Sequence, residues 1–295
     1  MPYKGSKTAI AEQIINILPE ADWFCDLFGG GGAVTHCAAL SMKYKNVMYN
    51  ELEPVVFKGF KMAINGEFKN ERRWISREDF FKLKDSDPYA AICFSFGNDL
   101  KTYAYSVELE AWKKALHYAR AFHDVSLLAE MGIKSNGSRR DIIKNINEYR
   151  KKYADWLKSG YYPPDTIERC QSLEQLESLK RLESLKRLES LKRLESLNNT
   201  SYEKIKIPDN AVIYCDIPYK ATNTYLSEFN YDEFYKWALN MKQDVFISEY
   251  DMPPEFHLVA EIERPGHLSP DLRETIKERL YCNHKFETDK QLTLW

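Results

Sequence analysis

Two short stretches carry residues whose types and spacing can do chemistry. The first is Asp26-Leu-Phe-Gly-Gly-Gly-Gly32. Glycines placed directly after a strand let the backbone turn sharply and approach a ligand closely. The run is not G-x-G-x-x-G and no G-K-[ST] follows it, so neither a dinucleotide fingerprint nor a P-loop fits. Glu51, 20 residues after Gly31, is placed to accept hydrogen bonds from ribose hydroxyls. The second stretch is Asp216-Ile217-Pro218-Tyr219. The Asp216 carboxylate and the Ile217 carbonyl can both accept protons from one planar amino group. Two acceptors on one NH2 draw its lone pair out of conjugation and make the nitrogen more nucleophilic. Pro218 fixes the turn, and Tyr219 offers a ring for stacking. That chemistry needs neither a metal nor a covalent intermediate. Taken singly each signal is weak, because a glycine run can be a flexible turn and the tetrad a structural turn around a buried tyrosine.

The elements that must position these residues are legible on either side of them. Residues 22–28 read as a strand, 33–45 as a helix and 46–50 as a second strand ending at Glu51, the βαβ start of a doubly wound sheet. Residues 53–66 read as a further helix, with Pro54 in its first turn and Asn65-Gly66 as its stop. The apolar run 89–96 fits a helix or a buried strand equally. Later, 211–215 is a buried strand ending at Asp216, 231–242 an amphipathic helix, 245–248 a strand, and 257–262 and 279–282 closing strands. The expected fold is α/β, a doubly wound, mostly parallel, Rossmann-like sheet with an inserted, mainly helical domain. The expected borders are 1–95 plus 205–295 for the sheet domain and 96–204 for the insertion.

Within the insertion, leucines recur every three residues from Leu173 to Leu197, through SLEQLE at 172–177 and three copies of SLKRLE. On an α-helix a step of three residues turns about 300°, so these leucines spiral round the axis instead of forming one stripe. A helical rod lying on the body of the protein is expected, a solvated helical excursion in preference to a spacer whose length changes by whole repeats. Between Lys134 and Lys158 lie eight basic and three acidic residues, a local basic face that suits phosphates or, equally, a solvated helix.

Composition narrows the classes. The chain has 295 residues, a net charge of −2 and 44% hydrophobic residues, ordinary for a soluble globular protein. No apolar run reaches the roughly 18 residues of a membrane span, and the start lacks the apolar core of a signal peptide. Six scattered cysteines without a C-x-x-C pair argue for reduced thiols in the cytoplasm, not a disulfide scaffold or a zinc ribbon. His117 and His123 are six apart, off the spacing of a zinc-binding helix, and no G-x-S-x-G elbow supports a serine hydrolase.

Together the two motifs resemble motifs I and IV of the amino-methyltransferases. More closely, the chain resembles the Dam-like (D12 class) DNA adenine methylases. Tyr3-Lys4-Gly5-Ser6-Lys7 is similar to that family's N-terminal cofactor motif, and Ser76-Arg-Glu-Asp79-Phe80 to the motif that holds the cofactor's adenine. Residues 91–105, with Phe94, Asn98 and Tyr103, resemble the entry to its target-recognition domain. Asn223-Thr224-Tyr225 and Phe246-Ile-Ser-Glu249 resemble segments after motif IV, and the motif order is that of the α group. The commonest tetrad in the family is DPPY, from which Ile217 departs. The resemblance covers residues 1–95 and 205–295; the segment 100–205 departs from the usual recognition domain.

The resemblance implies S-adenosyl-L-methionine as cofactor and the exocyclic N6 of a flipped-out adenine in double-stranded DNA as methyl acceptor. Tyr3, Lys7, Asp26, Phe28, Gly29, Gly31, Glu51, Asp79, Phe80 and Asp216 are the implied cofactor residues. Asp216, Ile217, Pro218 and Tyr219 are the catalytic ones. Residues 96–204, repeat included, would recognise the DNA, with Arg139, Arg140, Lys144, Arg150, Lys151 and Lys152 on phosphates. A monomer in the cytoplasm of a bacterial or phage-infected cell is expected. It would stand alone or beside a restriction endonuclease in a restriction-modification pair. The rival readings are an RNA or protein-glutamine amino-methyltransferase, and an inactive DNA-binding regulator.

Overall fold

The strands that lead into the two turns carry the apolar runs Trp23–Cys25 and Ala211–Cys215, as a parallel sheet covered on both faces requires. In the computed structural model, which describes residues 1, 5–132, 134, 176–191, 194–219, 229–265 and 275–285, they do form such a sheet. The chain divides into two compact units, 3–65 with 188–295 (and Met1) as one and Gly66–Arg187 (with Pro2) as the other.

The first unit holds a seven-stranded sheet in the order β3-β2-β1-β4-β5-β7-β6. The strands are β1 (Ala21–Asp26), β2 (Tyr44–Asn50), β3 (Leu194–Asn198), β4 (Ala211–Cys215), β5 (Asp244–Glu249), β6 (His257–Pro265) and β7 (Thr275–Cys282). β3, β2, β1, β4 and β5 pair in parallel, while β7 runs antiparallel to both β5 and β6. Helices α1 (Ala11–Ile17), α2 (Ala33–Ser41) and α3 (Pro54–Ile64) belong to this unit. The order reverses between β1 and β4, the switch point where ligands bind in open α/β sheets. Its apolar core includes Cys25, Ile213, Cys215, Ile217, Phe234, Val245 and Ile247.

The second unit is helical where it is described: α4 (Arg77–Leu83), α5 (Pro88–Phe94), α6 (Val107–Ala121), α7 (Ser126–Glu130) and α8 (Glu177–Arg187). The ambiguous run 89–96 is mostly helix. Asp87 caps α5, its carboxylate accepting from the Tyr89 amide at 2.9 Å, and every residue of α5 is buried. The unit borders fall at 65/66 and 187/188, against 95/96 and 204/205 expected from the sequence. Two contacts explain the difference. Helix α5 packs on α8 inside the helical unit, and β3 is hydrogen-bonded to β2 as an edge strand of the sheet.

The leucine repeat is not one helical rod, which corrects that expectation. The same tetrapeptide Leu-Glu-Ser-Leu is helix at 182–185, begins in a 3₁₀ turn at 188–191 and lies in strand β3 at 194–197. In α8 the buried positions are Ser178, Arg181, Leu182 and Leu185, an i, i+3, i+4, i+7 face that a period of three cannot fill with leucine alone. The polar members of that face are partnered. The Tyr105 hydroxyl donates to Ser178 Oγ at 2.9 Å, and the Arg181 guanidinium donates to the carbonyls of Cys93 and Ser95.

Among the described residues, no helix is long and apolar enough to cross a membrane. One further helix of the first unit, α9 (Tyr231–Asn240), follows the second turn.

Candidate active site

Parallel pairing sets the site. Asp26, the last residue of β1, is in register with Tyr214 of β4, so the turns after the two strands leave from neighbouring positions at the same sheet edge. Both turns line one cavity of about 680 Å3, within the ~300–1,000 Å3 usual for small-molecule sites.

The glycine turn is held tightly. The Gly29 amide donates to the Asn50 carbonyl at 2.8 Å, and the Tyr49 hydroxyl donates to the Gly30 carbonyl at 2.8 Å. A Cβ on Gly29 would stand 2.2 Å from the Tyr49 ring and 3.1 Å from the Asn50 carbonyl oxygen. Gly32 has φ +70° before the first turn of α2, and a Cβ there would meet Phe60 at 2.3 Å. Glycine is therefore required by close packing as well as by conformation.

Asp26 and Glu51 are buried at this turn. Asp26 Oδ2 accepts from the Thr35 hydroxyl at 2.5 Å, whereas Oδ1 is buried with no hydrogen-bond partner. Burial above all pushes the Asp26 carboxyl up to about 7, against the opposing Thr35 bond and with help from the charges of Asp216 and Glu51. Glu51 Oε2 accepts from the Gly30 amide and Oε1 from the Glu53 amide, both at 2.8 Å. Burial likewise pushes its carboxyl up to about 7, the backbone hydrogen bonds opposing the shift. Glu51 thus braces the glycine turn from the end of β2.

The second turn faces Lys7. Its Nζ donates to Asp216 Oδ1 at 2.7 Å and sits 4.7 Å from the centre of the Tyr219 ring. The Tyr219 hydroxyl donates to Glu278 Oε2 at 2.6 Å, and the ring meets Tyr250 edge-on at 4.7 Å. Burial first, then the charges of Asp216 and Glu278, holds the Tyr219 phenol far above its ordinary range, so the ring stays uncharged. Pro218 offers its carbonyl to the Tyr231 hydroxyl at 2.9 Å, which ties the turn to α9. The Ile217 side chain points into the core, and Ile217 is not among the cavity-lining residues.

Of the residues singled out from sequence, Lys7, Asp26, Phe28, Gly29, Gly31, Glu51, Asp216, Pro218 and Tyr219 line this one cavity. Asp79 and Phe80 belong to the helical unit. There Phe80 is fully buried against Phe81 and Tyr103. Ser76 caps α4 through Asp79: the Asp79 amide donates to Ser76 Oγ at 3.1 Å, and the Ser76 hydroxyl donates to the Asp79 carboxylate at 2.7 Å. Tyr3 and the basic residues Arg139, Arg140, Lys144, Arg150, Lys151 and Lys152 lie outside the described residues. Sequence reasoning missed Glu278, Tyr202, Phe229 and Tyr250, which also line the cavity. One signal was available for Glu278. It stands in phase with Leu280 and Cys282 on the buried face of β7, where a carboxylate is out of place unless it is partnered.

Fold and cavity together define the class: a Rossmann-like α/β unit with a cavity at its switch point. The family model for D12 class N6 adenine-specific DNA methyltransferases matches residues 3–158, and the chain belongs to that family. The match ends before the Asp216 turn. Among solved structures, the chain is similar to the rRNA methyltransferase aviRa from Streptomyces viridochromogenes, at 10% identity and a TM-score of 0.36 over 95% of this chain and 85% of that one. No curated protein matches the chain.

Proposed function

We propose that the protein transfers a methyl group from S-adenosyl-L-methionine to N6 of an adenine flipped out of double-stranded DNA. The observation that carries this reading is the meeting of the 26–32 and 216–219 turns in one cavity whose lining, among the described residues, holds seven carboxyl residues (Asp26, Glu51, Glu53, Glu203, Asp216, Glu233 and Glu278) against a single cation, Lys7. Such a lining suits a cationic ligand, and the partnerless Asp26 Oδ1 is an acceptor ready for an ammonium or hydroxyl donor. When bound, the cofactor supplies a methyl group on a positively charged sulfonium.

Each residue then has a stated task. Asp26, Gly29, Gly31 and Glu51 hold the cofactor, with Phe28 forming an aromatic wall against Tyr202 and Phe229. Asp216 accepts an N–H of the target amino group and keeps its lone pair out of the ring. Tyr219, uncharged, stacks on the base and repays part of the few kcal/mol that extrusion costs. Positioning of this kind lowers barriers by ~7–11 kcal/mol in favourable cases.

Tritiated methyl incorporation from S-adenosyl-L-methionine into duplex DNA, RNA and protein, compared side by side, tests the reading. Label in N6-methyladenine of duplex DNA is expected. Label confined to RNA or to glutamine in protein would refute it. The basic residues Arg139, Arg140, Lys144, Arg150, Lys151 and Lys152 are proposed to contact phosphates. Their joint replacement by Ala is expected to flatten the slope of log affinity against log salt, and an unchanged slope would remove them from the interface.

A further inference from the structure

We infer that Glu278 is a positioning residue for the transfer: through Tyr219 and Lys7 it fixes the stacking ring and the acceptor carboxylate on which the target amine rests. The inference builds on the proposed function. A carboxylate on the apolar face of a strand is costly unless its charge and lone pairs are met. Glu278 is 2% exposed, and its Oε2 is met by the Tyr219 hydroxyl at 2.6 Å and approached by Lys7 Nζ at 3.9 Å. Lys7 in turn reaches Asp216 at 2.7 Å and lies over the Tyr219 ring. The four side chains come from three separated segments, the N-terminal stretch, the turn after β4, and β7. Lys7, Glu278 and Tyr219 close a ring of contacts inside the cavity, and Asp216 joins it through Lys7.

Two consequences follow from that ring. First, a tyrosine ring rotates easily about its last torsion, and stacking on a base needs one ring plane. Anchoring the hydroxyl at Glu278 while Tyr250 presses the ring edge-on leaves that plane little freedom. Second, Lys7 faces two carboxylates, Asp216 at hydrogen-bond distance and Glu278 further off. The second carboxylate shares the cation, so Asp216 retains acceptor strength for an incoming N–H.

The test uses the full chain with duplex DNA and S-adenosyl-L-methionine, comparing wild type, Glu278→Gln, Glu278→Leu, Tyr219→Phe and the Tyr219→Phe/Glu278→Leu double variant. Glu278→Leu is expected to lower kcat about 10- to 100-fold with KM for the cofactor changed less than about threefold. Glu278→Gln, which keeps an acceptor oxygen of the same shape, is expected to bring kcat back within about fivefold of wild type. Adding Tyr219→Phe to Glu278→Leu is expected to cost less than about twofold more, because the two act as one unit. Wild-type kcat in the leucine variant, a change in KM alone, or effects that multiply would each overturn the inference. Should the leucine variant fail to fold, Glu278→Gln is expected to stay within about fivefold of wild type while Tyr219→Phe falls at least about tenfold, and the reverse order refutes the role. A wild-type chain that methylates no adenine in DNA refutes the proposed function instead. Urea unfolding of the four proteins that form the Tyr219–Glu278 cycle still reads the contact in that case, and additive losses of stability would show the pair uncoupled.

Discussion

At the scale of single residues, Asp216 and Gly29 separate chemistry from architecture. Asp216 is the acceptor proposed for the target amine, and it reaches the cavity from a turn whose neighbours Ile217 and Pro218 are held by core packing and by Tyr231. Asp216→Ala is expected to reduce methyl transfer at least about 10³-fold while cofactor affinity, measured by calorimetry, stays within about fivefold. Retained activity would end the proposed role. Gly29 contributes space instead of a functional group. The Tyr49 ring that a new Cβ would strike is stacked on Phe60 at 3.9 Å and bonded to the Gly30 carbonyl, so it cannot swing aside. Gly29→Ala is therefore expected to destabilise the fold by about 1–3 kcal/mol in urea unfolding, and a loss of activity without a loss of stability would show that the methyl blocks the ligand instead.

At the scale of elements, the repeat shows what sequence can and cannot specify. The strands around Asp26 and Asp216 were legible because continuous apolar runs end in turn residues, and α3 because Pro54 and Asn65-Gly66 bracket it. The fate of Leu-Glu-Ser-Leu was not legible, because four copies with one sequence, at 176–179, 182–185, 188–191 and 194–197, pass through helix, a 3₁₀ turn and strand. Copy 194–197 becomes a strand beside β2, where the Asn199 amide group donates to the Glu51 and Leu52 carbonyls at 2.6 and 3.0 Å and fixes the chain just beyond it. Copy 182–185 lies in a helix that packs on α5, its two leucines buried, and its neighbour Arg181 finds carbonyls at the end of α5. Glu278 escaped notice for a related reason, since its worth depends on Tyr219, 59 positions away. The same logic gives a paired prediction. Arg181 and Arg187 occupy identical places in successive copies, yet Arg181 is buried and Arg187 exposed. Arg181→Ala strands two buried carbonyls and is expected to cost about 1–3 kcal/mol, whereas Arg187→Ala is expected to stay within about 0.5 kcal/mol. Equal losses in urea unfolding would mean the repeat is not read in this register.

At the scale of the whole molecule, the buried carboxyls couple folding, pH and ligand charge. Asp26 and Glu51 both have folded values near 7, above their ordinary values of 3.8 and 4.5, chiefly through burial. A raised carboxyl binds its proton more tightly in the folded chain than in the unfolded one, so its contribution to stability is complete below about pH 4 and is lost as pH rises through about 7. Other groups add their own slopes, but these two act in the same direction, each on the order of 3 kcal/mol between those limits. Unfolding free energy of the ligand-free protein is expected to fall between pH 5 and pH 8, and Asp26→Asn, which removes one titration, is expected to flatten the fall. A cationic ligand reverses the balance inside the cavity, since it stabilises the ionised form that burial penalises. Affinity for S-adenosyl-L-methionine is therefore expected to rise from pH 5.5 to 8 with net release of protons. Calorimetry in two buffers of different ionisation enthalpy reads that release directly. The demethylated thioether product lacks the sulfonium charge, and its binding is expected to rise less steeply over the same range. Equal slopes for the two ligands would show that the acid-rich lining does not sense the sulfonium.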